Sequence, residues 1–184
     1  MKKLLCLLLA AAVLLSLSAC GGESASSVIE SEPDAPLTTV NIADFVTKGQ
    51  IPEIAVGLDG IMGDVRAAYM GKELSCVEAD YWVLASGPDT FYVNKSDFGV
   101  TAIVTSDKAF GIPMMTDIAK ITEFMGGVSG AVAANTETPS AFTSSIAAAS
   151  SQAPAKSLIY KIGNNDLEFL FTGDKLVAVA VYEG

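Results

Sequence analysis

A pattern stated twice constrains this chain more than any other feature. Residues 62–70 place Met62, Val65 and Tyr69 at helical spacing and stop at Gly71. Strand candidates follow at 81–84, 90–93 and 100–105, separated by Ser-Gly-Pro-Asp and Asn-Lys-Ser-Asp turn material. Residues 115–125 restart the order, with Ile118, Ile121, Phe124 and Met125 on one stripe and Gly126-Gly127 as the stop. Strands are expected again at 158–162, 167–171 and 176–182, with turns at Asn164-Asn165 and Gly173-Asp174. Tyr69-Met70-Gly71 answers Phe124-Met125-Gly126, while 90–93 and 101–104 answer 168–171 and 178–181. An amphipathic helix and a half-buried meander must cover each other. The expected fold class is therefore α+β, two tandem units of one helix packed on an antiparallel β-meander, at 40–110 and 111–184.

Two segments sit around this pattern. Asn41 is a candidate N-cap for a short helix over 42–46 that stops at Gly49, and a short strand is expected at 51–56. Residues 129–156 consist almost entirely of Ala, Ser and Thr with a few Pro. Such a segment has too few large apolar groups to offset the entropy of ordering it, so it reads as a disordered insert.

The N-terminus gives an address. Lys2 and Lys3 precede an apolar run over 4–15, and Leu17-Ser18-Ala19-Cys20 leads into Gly21-Gly22. A basic start, a short apolar run and small residues before a cut site describe a secretory signal peptide. The run is shorter than the ~20 residues an untilted membrane-spanning helix needs. Leu-Ser-Ala-Cys resembles the lipobox of bacterial lipoproteins, in which the cysteine is acylated and becomes the first mature residue. Residues 1–20 are thus expected to be a lipoprotein signal peptide and Cys20 the lipidation site. A diacylglyceryl group supplies two chains, at ~0.8 kcal/mol per buried methylene. Residues 21–39, polar and acidic with Pro33 and Pro36, read as a disordered tether. The Cys-Gly-Gly opening and this Ser/Glu/Pro tether resemble Gram-positive lipoproteins. The expected location is extracytoplasmic, lipid-anchored to the cell membrane.

Charge narrows the partners. All 21 acidic residues lie beyond the signal, while two of the 11 basic ones leave with it. The whole chain is already at −10, so the mature part is more acidic still. A nucleic-acid partner would require a basic footprint, which is missing. The expected partners are the membrane, through the anchor, and an envelope protein or small ligand. Of the three cysteines, Cys6 leaves with the signal and Cys20 takes the lipid, which leaves Cys76 as a single thiol, read as a buried small hydrophobe.

No catalytic constellation is legible. The chain has no histidine, so Ser-His-Asp and Cys-His arrangements are excluded and the commonest zinc ligand is missing. Gly-x-Ser-x-Gly, Ser-x-x-Lys and Walker motifs do not occur. Glu78 and Asp80 lie close together but fit an exposed strand face, and Asn164-Asn165-Asp166 fits a hairpin turn better than a calcium loop. The expectation is a non-enzymatic binding module without cofactor or metal. The alternatives are an envelope hydrolase using paired carboxylates and a structural envelope-assembly factor. Alternation on the last strand assigns Val177, Val179 and Val181 to one face and Leu176, Ala178, Ala180 and Tyr182 to the other. With helices on one face, the opposite face is left as a concave recognition surface. Trp82 and Tyr92 are the candidate binding residues, because aromatic side chains dominate interfaces.

Helix, glycine stop and meander, stated twice behind a lipobox, resemble small bacterial envelope lipoproteins with a β-lactamase-inhibitor-like α+β unit. That unit is also seen in outer-membrane assembly lipoproteins. The chain is more similar still to an uncharacterised family of Gram-positive lipoproteins. The residues carrying this are Asp64-Val65, Met70-Gly71, Phe98-Gly99-Val100, Ile103, Phe124-Met125-Gly126 and Leu158-Ile159-Tyr160, with the ending over 167–171 and 175–179. The resemblance implies a fold and supplies no activity.

Overall fold

Three hairpins of the sheet have turns that open on a left-handed glycine. Gly87-Pro88, Gly163-Asn164 and Gly173-Asp174 are two-residue turns with Gly at positive φ in first place. That is the II′ arrangement, whose twist matches the flanking strands. The computed structural model describes residues 41–134, 138–149 and 155–184. The first half supplies β1 (Ser75–Glu78), β2 (Trp82–Ser86), β3 (Asp89–Val93) and β4 (Val100–Thr105). The second supplies β5 (Val132–Ala134), β6 (Ala155–Ile162), β7 (Asn165–Thr172) and β8 (Lys175–Glu183). They form one antiparallel sheet in the order β1-β2-β3-β4-β8-β7-β6-β5. The two meanders join through their last strands, with Ala102 opposite Tyr182 and Val104 opposite Ala180. The fold is α+β.

Three helices lie on one face. They are α1 (Ile42–Thr47), α2 (Met62–Ala68) and α3 (Ile118–Gly126). The Asn41 side chain accepts from the Asp44 amide, the N-cap role expected of it. Val65 and Tyr69 of the first stripe and Ile121 and Met125 of the second are buried. They pack on Leu84, Phe91, Ile103, Phe169 and Phe171 in the main core. Each half pins its helix in a similar way. Ile61, just before α2, bridges Gly99 at the entry to β4, and Asp117, just before α3, bridges Lys175 at the start of β8. α1 packs on β6 and β7 of the other half, where Asn165 Nδ2 donates to the Val46 carbonyl at 2.7 Å.

Four expectations need correction. Residues 51–56 make turns instead of a strand, because Pro52 cannot donate to a ladder, although Ile51 and Val56 are buried. Cys76 is exposed, because β1 is an edge strand whose four residues all face solvent. Strict alternation fails on β8, where the register shifts opposite Leu170 and Phe171. That bulge puts Leu176 with Val179 and Val181 on the helix face, and Val177 with Ala178 and Ala180 on the other. The largest correction concerns the insert. β5 adds a strand to the sheet edge beside β6, and residues 138–149, including α4 (Ser144–Ala149), pack over the face opposite the helices.

Candidate functional site

The face opposite the helices is built from small residues and tyrosines. Tyr92, Ala102, Tyr182, Asp166 and Lys161 are directly paired across β3, β4, β8, β7 and β6, so their side chains share this face. One row along, Val104, Ala180 and Glu168 are paired in the same way. Ala102 therefore separates two tyrosines by two strand spacings, about 10 Å. That gap is one aromatic ring wide. Phe142 of the insert fills it, with ring-centroid distances of 5.1 Å to Tyr92 and 5.1 Å to Tyr182. Tyr81 closes the slot from the side, 5.6 Å from Phe142 and 6.1 Å from Tyr92. The Tyr92 hydroxyl donates to the Phe142 carbonyl at 2.8 Å. Ile146 and Ala147 of α4 extend the apolar contact over Val104, Leu170, Ala178 and Ala180.

Beside the slot lies Glu168, a carboxylate 0% exposed. Its Oε1 accepts from the Ser140 amide at 3.1 Å, the Thr143 hydroxyl at 2.8 Å and the Ser157 hydroxyl. Its other oxygen, Oε2, is buried with no hydrogen-bond partner. A buried carboxylate oxygen left without a donor is costly, and such groups call for a physical reason. Burial, followed by the negative charges of Glu168 and Asp166, pushes the Tyr182 phenol above the ordinary tyrosine range. On the helix face, burial and then the hydrogen bond to Asp89 do the same to Tyr69, whose hydroxyl donates to that carboxylate at 2.7 Å.

The two aromatic residues singled out from the sequence are not brought together. Tyr92 forms a wall of the slot, whereas Trp82 pairs with Val93 and packs, half-buried, on the helix side. Cys20 lies outside the described residues. Glu78 is exposed and paired with Lys95 at 3.2 Å, and Asp80 is exposed too. Among the described residues, no group of three or more Cys, Asp and Glu side chains is placed to hold a metal ion. A second concavity of about 530 Å³ lies between the start of α1 and the end of α3, lined by Asn41, Ile42, Ala43, Phe124 and Val128. Its lining carries no titratable side chain. Glu168, Tyr182, Tyr81 and Phe142 were not legible as a site. A signal for Glu168 existed: it is the one acid within Leu-Glu-Phe-Leu-Phe, at a position that alternation turns away from the helices. Phe142 likewise is the one aromatic of the Ala/Ser/Thr insert.

Comparison with known proteins adds the fold and little else. No family model matches the chain, and no curated protein does. The crystal structure of a DUF4309 family protein (YjgB) from Bacillus subtilis is similar, with a TM-score of 0.50 and 16% identity, covering 78% of this chain and 94% of that one. The structural neighbour thus belongs to an uncharacterised family of a Gram-positive organism. At that identity, the likeness is one of architecture. Among the described residues no helix is long and apolar enough to cross a membrane.

Proposed function

We propose that this protein is a membrane-tethered extracytoplasmic lipoprotein, a non-enzymatic binding module of the cell envelope. Lipid on Cys20 holds it, and it binds through the sheet face that residues 138–149 cover. The observation that supports this is the seating of Phe142 midway between Tyr92 and Tyr182. A strand order that places alanine between two tyrosines makes a receptor for a flat ring, and tyrosine supplies rigid contact area with a polar tip. The slot sits beside a buried polar group with hydrogen-bonding capacity to spare, the usual composition of a ligand site.

The test has two readouts in living cells. Palmitate labelling should mark the chain and fractionate it with membranes, and Cys20→Ala should abolish both. A photocrosslinking residue at position 81 should give an adduct that Tyr92→Ala removes. A soluble, unlabelled wild-type chain contradicts the anchor. Adducts no stronger than in a Cys20→Ala control contradict the binding role.

A further inference from the structure

The occupant of the slot satisfies only part of what surrounds it. Residues 140–143 present an aromatic ring to three tyrosines, and one amide and one hydroxyl to Glu168. They bring no positive charge, and Oε2 of a fully buried carboxylate stays without a donor. Thr143 follows Phe142 directly, so a group reaching this carboxylate sits next to a ring in the slot. Tyrosine faces and a buried carboxylate are the two features that recognise a cation.

We propose that residues 138–149 act as a built-in stand-in for the ligand, and that the true ligand carries an ammonium or guanidinium group beside an aromatic ring. This rests on reading the sheet face as a binding surface and adds its chemistry. The ring replaces Phe142 between Tyr92 and Tyr182, and the cation supplies Oε2 with the donor it lacks. Displacement is required, so apparent affinity is reduced by the fraction of chains whose insert is open. The same chemistry is offered by a free aromatic amine and by an aromatic residue next to lysine in a polypeptide.

Calorimetric titration of the full lipidated chain in detergent tests this with three probes. Phenylalaninamide carries ring and ammonium, N-acetylphenylalaninamide carries the ring alone, and acetyl-Ala-Phe-Lys-Ala-amide carries the cation on a peptide. Phe142→Ala should bind the two charged probes about tenfold or more tighter than the wild type, because the stand-in is removed. It should prefer phenylalaninamide to its N-acetyl analogue by a similar factor, and Glu168→Gln should erase that preference. Tighter binding of the peptide would identify a polypeptide source, and tighter binding of the free amine a small ligand. Equal binding of charged and neutral rings by Phe142→Ala overturns the ligand class but leaves the binding surface. Absence of binding by any probe overturns both. The charged-against-neutral comparison needs no change at Glu168, so a misfolded Glu168→Gln would not rescue the idea.

Discussion

The two faces of one sheet are covered in different ways. On the helix face Phe91, Phe169, Phe171, Ile103 and Leu167 meet α1, α2 and α3 in a core with side chains at 0% exposure. On the other face Ala102, Ala178, Ala180 and Val104 meet a strip of Ala, Ser and Thr held by Phe142, Ile146 and hydrogen bonds to one carboxylate. The first face follows from the hydrophobic effect acting on large side chains. The second has a ring-sized slot filled only by Phe142 of the insert, and two buried polar atoms, Glu168 Oε2 and Ser140 Oγ, without hydrogen-bond partners. One face keeps the fold together, and on the function proposed above the other carries a cover that a ligand displaces.

Truncations should break the comparison most visibly. Phe169→Ala opens a cavity in the helix-side core and should cost about 3–5 kcal/mol in denaturant melts. Phe142→Ala should cost well under half of that, because its slot opens to solvent once the insert lifts. Similar losses at the two positions would mean that the faces are equivalent. Glu168→Ala strips the acceptor from Ser157, Thr143 and the Ser140 amide, and should cost about 2–4 kcal/mol.

Alkaline pH sharpens the contrast with a smaller effect. Tyr69 and Tyr182 both have their phenols pushed above the ordinary value near 10, with burial the largest cause in each. A raised folded-state pKa favours the protonated hydroxyl, so this contribution is fully present below ~pH 10 and fades as pH climbs through the folded value. Thermal melts should therefore be flat from neutral pH upward and fall above ~pH 10. Tyr69→Phe should blunt the fall in global unfolding, whereas Tyr182→Phe should blunt it in a probe of insert docking. Least of all, Cys76→Ser on the exposed edge strand should move stability by no more than about 0.5 kcal/mol.

Helix and strand placement was legible where side chains alternate or recur against a single partner surface. β3 and β4 came within one residue of their bounds, and the Asn41 cap and the Gly173-Asp174 turn were readable, whereas the turn expected at Asn164-Asn165 lies one residue earlier, at Gly163-Asn164. β1 escaped because Ser75, Cys76, Val77 and Glu78 are all exposed, so no burial pattern marks them. The same edge position exposes Cys76, and edges are a property of strand order, which no single segment carries. A bulge reversed the face of Leu176, since a one-residue shift is invisible to period-two counting. The insert was misread because composition measures what a segment brings and not what awaits it. Phe142 and Thr143 matter only once Tyr92, Tyr182 and Glu168, distant in sequence, are brought alongside.

Hydrogen–deuterium exchange, followed residue by residue in the full chain, tests the displaceable cover most directly. The Ser140 amide donates to Glu168, and the Ser144 and Ala147 amides are held by local turns, so these three report on docking. Amides of β4, β7 and β8 report on the sheet itself. Residues 138–149 should exchange through a local opening, insensitive to denaturant, well before the sheet, and Phe142→Ala should speed them without changing the sheet. Exchange of both sets at one rate, only on global unfolding, would contradict it.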